Sequence, residues 1–305
     1  MMNHDQNDEA GGADPDALAR IVALALEEDL GSEGDITSKA IFSTAASDQS
    51  PAGSDHSAAR VITHESCTVS GMAAAAEVCR QTDPALVWLP LVEDGQPVPA
   101  GAEVARLEGG IIPILAAERT VLNFLSRLSG IATLTATFVD AVQGTGARIA
   151  ATRKTSPGLR LPEKTAVVHG GGELHRIGLY DAILIKDNHI AAAGSITEAT
   201  AAVREAYGRD VWIEVEADTI SQFEEALAQG VDRVLLDNMT SESVRECVEL
   251  AAGEGSKQPR PMEIEASGGI DLSNVRAYAA TGADMISVGA LTRSAPGIDF
   301  SLEVE

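Results

Sequence analysis

Six apolar runs in the second half of this 305-residue chain each end on side chains able to do chemistry. The run 147–151 is followed by Thr152, Arg153 and Lys154, and 182–185 by Lys186, Asp187, Asn188 and His189. Glu216 follows 211–215, and Asp237 and Asn238 follow 232–236. Ser267, Gly268 and Gly269 follow 261–266, and Gly289 and Ala290 follow Val288 at the end of 284–288. Between residues 148 and 186 stand Arg148, Arg153, Lys154, Arg160, Lys164, Arg176 and Lys186, against only Glu163, Glu173 and Asp181. A cationic segment in an acidic chain suits a small polyanion, gripped bidentately by guanidinium groups and as a point charge by ammonium groups. Surface ion pairs are the competing use of the same residues.

The individual groups allow more than one role. Glu216 and Asp237 have no evident lysine partner in sequence, which suits Mg²⁺ held partly through water or a paired acid and base. His175 is open to acid–base work, anion contact or structural hydrogen bonding. Lys186, ending the run ILIK, is placed for a Schiff base or for charge pairing with a substrate. Gly170-Gly171-Gly172 is a flexible turn or a backbone free to approach a ligand. No Gly-Lys-Ser/Thr follows it and no Gly-x-Gly-x-x-Gly follows a strand, so neither a P-loop nor a dinucleotide fold is supported. Ser267-Gly268-Gly269, with a helix expected from near Asp271, resembles a phosphate cradle of backbone amides completed by Gly289 and Ala290. Close packing is the other use of such glycines.

Positioning these groups requires a regular frame. Most of the six runs are followed by a helical pattern with its own start signal, such as Ser195-x-x-Glu198 and Thr219-x-x-Gln222. Gly230 and Gly282 stand where helix C-terminal glycines belong. Alternation at this spacing predicts a parallel sheet with helical crossovers, its near-continuous apolar strands buried on both faces. We read it as a β/α barrel with fewer than eight strands, whose strand ends open on one mouth. Upstream, the spacing predicts a helix over 16–30, strands and turns over 58–109, and two helices over 114–143 broken near Ser129-Gly130. Residues 1–15 read as a disordered acidic tail and Ser43–Ser57 as a loop insertion.

Lys and Arg total 22 against 46 Asp and Glu, a net charge of −24, which argues against a nucleic-acid partner. With 5 Phe, 2 Trp and 3 Tyr, a base-stacking platform is also disfavoured. Cys67, Cys79 and Cys247 show no Cys-x-x-Cys spacing, which suits a reducing compartment. The polar, acidic start is unlike a signal peptide, and no apolar run is long enough to span a membrane, so the expectation is a cytoplasmic protein.

At these residues the sequence resembles the quinolinate phosphoribosyltransferase family. The segments that carry the likeness include Glu27–Thr37, Glu118–Thr133, Ala151–Arg160, Glu163–Ile190, Ile213–Thr219, Leu235–Met239, Glu265–Ile270 and Ser287–Thr292, in family order. The resemblance implies an α/β protein: an N-terminal α+β sandwich-like domain over 16–130, to which the tail 292–305 returns, and an incomplete β/α barrel over 131–291. It implies phosphoribosyl transfer from phosphoribosyl pyrophosphate to quinolinate with loss of CO₂, using Mg²⁺, in NAD biosynthesis. It further implies a homodimer in which Arg119 is donated across the interface. Arg119, Thr152, Arg153, Lys154, His175, Arg176 and Lys186 match substrate-holding positions. Lys154, Glu216 and Asp237 match catalytic ones, the two acids also being the implied metal positions. Ser267, Gly268, Gly269, Val288, Gly289 and Ala290 match the 5′-phosphate cradle. Thr165, Val168, His169 and Leu174 depart from the family pattern. A ModD-like paralogue of the same fold, acting on a different acceptor, is the rival reading; an aldolase using Lys186 and a non-enzymatic anion sensor are weaker ones.

Overall fold

The computed structural model describes residues 15–43, 56–254 and 262–305. Nearly all of the expected acidic tail, and most of the 43–57 insertion, lie outside the described residues. The described chain forms two compact units, one holding residues up to 136, 155–171 and 294–305, the other 137–154 and 172–293.

The first unit begins with α1 (Pro15–Leu30) and α2 (Ile36–Ser43). Val22 and Leu26 form the buried stripe of α1, and Gly31 ends it at φ +51, its amide donating to the Glu27 carbonyl at 3.0 Å. Asp35 caps α2 by accepting from the Thr37 and Ser38 amides, both at 3.0 Å. Then come β1 (His56–Thr63), β2 (Cys67–Thr68), α3 (Met72–Thr82), β3 (Val87–Pro90), β4 (Pro97–Val98), β5 (Glu103–Gly110) and α4 (Ile111–Val142), the last turn of which belongs to the second unit.

The sequence predicted two helices where the structure has one, α4, unbroken for 32 residues. Ser129 and Gly130 are there for packing. The Ser129 hydroxyl accepts from the Ser70 amide at 3.0 Å and donates to the Ser70 carbonyl at 3.1 Å. A Cβ on Gly130 would lie 1.9 Å from the Pro296 carbonyl oxygen. Absence of a side chain permits that approach without interrupting the helix.

The second unit alternates strand and helix: β6 (Arg148–Ala150), β7 (Ile183–Ile185), α6 (Asp187–Ala193), α7 (Ile196–Tyr207), β8 (Ile213–Ala217), α8 (Ile220–Gln229), β9 (Arg233–Asp237), α9 (Ser241–Glu254), β10 (Glu263–Ser267), α10 (Val275–Ala279), β11 (Met285–Ser287) and α11 (Ala290–Arg293). Between β6 and β7 the chain returns to the first unit as α5 (Arg160–His169), and it ends there as β12 (Phe300–Val304). The first unit's main sheet is antiparallel, in the order β12-β1-β5-β3. The second unit's sheet is parallel, in the order β6-β11-β10-β9-β8-β7, an incomplete barrel of six strands. Helix starts follow the expected signals: Ser195 accepts from the Glu198 amide at 3.0 Å and Thr219 from the Gln222 amide at 3.2 Å.

The strands are not apolar on both faces. Register pairs Glu214 with Arg233 and Arg233 with Glu263, so alternate residues of β8, β9 and β10 carry charge into one face of the sheet. Glu214, Glu265 and Arg233 are buried there. The charges compensate one another in layers, which lets the strands bury them.

Candidate active site

The parallel register sets the mouth. Ile185 pairs with Val215, so Lys186 and Glu216 come next to each other at adjacent strand ends. They form an ion pair, which supplies the lysine partner that linear sequence did not reveal for Glu216. Leu236 pairs with Ala217 and Ser267 with Asp237, carrying the same layer onward. Carboxylate oxygens of Glu216, Asp218 and Asp237 all lie within 4.8 Å of one another. Burial, then the charge of Glu216, raises the Asp218 pKa, as expected of acids crowded together. Three hard oxygen donors, of which Asp218 is exposed, fit Mg²⁺, which keeps waters and shares phosphate oxygens. Asp218 was not singled out from sequence; it stands on the same strand parity as Glu214 and Glu216, and that alternation was the available signal.

Asn238 fixes Asp237. It adopts φ +55, the only positive φ outside glycine among the described residues. From that conformation its side-chain amide donates to the Asp237 carboxylate at 2.6 Å, and its backbone amide to the Ser267 carbonyl at 2.9 Å. Gly268, at φ +88, is required by this approach: a Cβ there would lie 2.6 Å from the Asn238 nitrogen. Gly269 follows at φ +62. The helix expected near Asp271 starts instead at Val275, because Asp271 and Asn274 are spent on a turn in which Asn274 accepts from the Asp271 amide at 2.8 Å. An anion here would therefore meet loop amides, in the manner of a backbone nest.

Opposite strand ends complete the mouth. Thr152 accepts from the Lys154 amide at 3.1 Å, and the Thr292 hydroxyl donates to the Lys154 carbonyl at 2.9 Å. A Cβ on Gly289 would lie 3.0 Å from Lys154 Cδ and 3.6 Å from the Thr152 hydroxyl, so Val288-Gly289-Ala290 runs close under the lysine. Arg153 keeps its Nε buried with no hydrogen-bond partner among the described residues. Burial, and then the charge of Arg153, lowers the Arg176 pKa, so the two guanidinium groups stand within electrostatic reach of each other.

Below the mouth lies a closed layer. His175, 7% exposed at its side chain, presents Nε2 to Glu214 at 3.2 Å and to Glu265 at 3.3 Å. Its Nδ1 accepts from the Arg176 amide at 2.9 Å. Arg233 reaches Glu265 at 3.6 Å from beneath. Burial opposes charge on His175, while Glu265 and Glu214 favour a proton on the cluster. The Arg176 amide occupies the place a second ring proton would need, so the cluster's extra proton belongs on Glu214, whose pKa burial and Glu265 raise. His175, Glu214 and Glu265 have ligand atoms near enough for a metal, but Arg233 already provides the cation.

The basic segment seen in the sequence is dispersed. Arg148 begins β6 and pairs with Glu173 at 3.0 Å and Glu263 at 2.8 Å, at the end of the sheet away from the mouth. Arg160 and Lys164 lie on α5 in the first unit. Arg153, Lys154 and Lys186 remain at strand ends, and Arg176 lies three residues beyond the bridge from Glu173 to Ala150 of β6. Arg119 lies exposed on α4 in the first unit. Gly170 approaches protein, not ligand: a Cβ there would lie 2.4 Å from the Ala132 carbonyl oxygen. Of the departing positions, Thr165 bonds the Leu161 carbonyl at 3.1 Å and His169 bonds Ser70 at 2.8 Å, both within the first unit.

Two family descriptions match the chain: the N-terminal domain of quinolinate phosphoribosyl transferase over residues 35–129, and its C-terminal domain over 131–303. A probable nicotinate-nucleotide pyrophosphorylase (carboxylating) of Bacillus subtilis is 40% identical over 277 residues, 91% of this chain and 90% of that one. A mitochondrial quinolinate phosphoribosyltransferase (decarboxylating) of Nicotiana glauca is 38% identical, covering 94% of this chain and 82% of that one. Among solved structures, the nicotinate-nucleotide pyrophosphorylase of Francisella tularensis superimposes with a TM-score of 0.88 at 38% identity, covering 99% of this chain and 100% of that one.

Proposed function

The chain belongs to the quinolinate phosphoribosyltransferase family, and on that premise we propose how its own residues divide the work of a decarboxylating phosphoribosyl transfer. The reaction joins quinolinate to phosphoribosyl pyrophosphate and yields nicotinate mononucleotide, pyrophosphate and CO₂, a step of NAD biosynthesis. One observation carries the assignment of the acceptor: the buried Arg153 Nε lacks an acceptor among the described residues, within electrostatic reach of a second guanidinium, that of Arg176. Such a rim is incomplete without a bidentate anion, and a pyridine dicarboxylate supplies two.

Arg153, Arg176 and Lys186 hold the acceptor carboxylates, and Thr152 fixes the loop that carries Arg153 and Lys154. Ser267, Gly268, Gly269, Val288, Gly289 and Ala290 receive the 5′-phosphate on backbone amides. Glu216, Asp218 and Asp237 would hold Mg²⁺, which would neutralise charge on the departing pyrophosphate. The pyridine nitrogen forms a bond to the anomeric carbon as the bond to pyrophosphate breaks; positioning and charge stabilisation supply the rate. The electron pair released when the 2-carboxylate leaves as CO₂ stays on C2, stabilised by the adjacent ring nitrogen, which is now cationic. Lys154 or a water then protonates the ring carbon. Arg119 completes the site of the partner in a homodimer.

The test is incubation with quinolinate, phosphoribosyl pyrophosphate and Mg²⁺, with mass detection of nicotinate mononucleotide and measurement of CO₂. Stoichiometric product and CO₂, abolished by EDTA and by Arg153→Ala, is the expected result. Transfer to nicotinate with pyrophosphate but no CO₂, or near-wild-type turnover of Arg153→Ala at saturating substrate, would overturn the assignment.

A further inference from the structure

His175 stands one residue before an arginine of the rim, yet neither of its ring nitrogens faces the mouth. Nε2 is shared between Glu214 and Glu265, at 3.2 and 3.3 Å, and Nδ1 receives the Arg176 amide at 2.9 Å. A neutral imidazole has one donor and one acceptor, and here both are used inside the protein. The ring is therefore a strut between a buried acidic layer and the backbone of Arg176. The acidic layer is itself anchored: Arg233 lies 3.6 Å from Glu265, bonds Glu263 at 3.0 Å, and stacks on Trp212 with 5.1 Å to the ring centroid. Glu265 is fully buried between the His175 ring, at 3.3 Å, and the Arg233 guanidinium, at 3.6 Å.

We propose that Glu265, acting with Glu214 through His175, is a positioning residue that seats Arg176 for the acceptor carboxylate, and that His175 itself makes no contact with the acceptor. This rests on the reading of the rim as the dicarboxylate site. The physical reason for such a strut lies in the rim. Arg176 must be held near Arg153, against repulsion, before any anion arrives. An amide bonded to a ring that is clamped between two buried carboxyl groups is fixed in advance, and the negative charge of Glu265 offsets part of the repulsion above it.

Two measurements test the idea. The first compares kinetic constants for wild-type protein, Glu265→Gln, His175→Asn and His175→Gln. Asparagine places an acceptor oxygen near the position of Nδ1, whereas glutamine places its amide near Nε2. The expected result is a KM for quinolinate raised about tenfold or more in Glu265→Gln and His175→Gln, and partly restored in His175→Asn. The KM for phosphoribosyl pyrophosphate should stay within about twofold, since a general loss of structure would move both. Better retention of quinolinate affinity in His175→Gln than in His175→Asn would overturn the proposal, as would an unchanged quinolinate KM in Glu265→Gln.

The second measurement needs no variant and so survives any folding failure. In ¹⁵N-histidine-labelled wild-type protein, the His175 ring should show protonated Nε2 and unprotonated Nδ1. Saturation with quinolinate should leave both resonances in place. A ring nitrogen that shifts on binding in proportion to occupancy means direct contact and refutes the strut. Should wild-type protein release no CO₂ from quinolinate at all, the parent assignment fails; the resonance assignment of the free protein still reports on the clamp separately.

Discussion

Gly289→Ala separates function from stability in a way the geometry makes quantitative. Gly289 lies outside the left-handed region, so alanine meets no backbone strain there. Its Cβ would stand 3.0 Å from Lys154 Cδ and 3.8 Å from Lys154 Nζ. Carbon atoms settle at about 3.5–4.0 Å, so the lysine stem must withdraw by roughly 0.5 Å at Cδ, and by more at its tip. For the fold this is cheap. An off-rotamer adjustment costs about 0.5–1.5 kcal/mol, against about 0.4–1 kcal/mol gained by restricting the unfolded chain. The melting temperature should therefore stay within about 3 °C of wild type. Catalysis is less forgiving, since a displacement near 1 Å can cost about a hundredfold. We expect kcat/KM for phosphoribosyl pyrophosphate to fall roughly 10- to 100-fold, or about 1.4–2.7 kcal/mol of transition-state stabilisation. Gly268→Ala is the contrast: its Cβ would meet the Asn238 backbone at 2.6 Å from a φ of +88, so stability and activity should fall together. Unchanged kcat/KM in Gly289→Ala, or a loss that only tracks a lowered melting temperature, would refute the close passage of this loop under Lys154.

Other outcomes follow from the same geometry. Mixing inactive Arg119→Ala with inactive Arg153→Ala protein and re-equilibrating the subunits should restore about a quarter of wild-type activity, because half the dimers are mixed and each has one intact site; no recovery would argue against donation across an interface. Glu163 is fully buried, accepts from Arg127 at 2.8 and 3.1 Å and from the Ser156 amide at 3.1 Å, so Glu163→Gln should cost about 3 kcal/mol in urea unfolding; a loss below about 1 kcal/mol would contradict that role. Glu214 has its pKa raised by burial and then by Glu265, so folding favours its protonated form. A raised value stabilises the fold fully below the unfolded pKa and loses that contribution as pH climbs through the folded one. The melting temperature should thus decline as pH climbs above the ordinary carboxylate range, and the decline should flatten in Glu214→Gln; an identical slope would exclude the cluster as its source.

Much of this was legible because polar residues interrupt apolar runs at strand ends, and the register of a parallel sheet brings those ends together. Glu216, Asp237 and the glycine pairs were found that way. Interior charge was missed because the strands were judged by overall apolarity. The alternation Glu214-x-Glu216 and Glu263-x-Glu265 marks one face, and Arg233 on the strand between them is visible only through pairing. The Lys186–Glu216 pair likewise spans 30 residues and depends on register alone. Arg148 was misgrouped with the rim because proximity in sequence does not tell which end of a strand a residue occupies. The helix break expected at Gly130 failed for a related reason: a glycine can serve a neighbour's backbone as readily as its own conformation.

The pairing of β12 with β1 carries a consequence for biogenesis. Phe300 lies opposite Thr63, so one edge of the antiparallel sheet waits for a strand translated 300 − 63 = 237 residues later. At about 5–20 residues per second, the ribosome needs roughly 12–47 s to deliver it. During that interval β1 shows the nascent-chain environment an open edge, a template for unwanted pairing. Nascent chains truncated before residue 300 should stay bound to chaperones, and chains in which residues 300–304 have left the exit tunnel should be released.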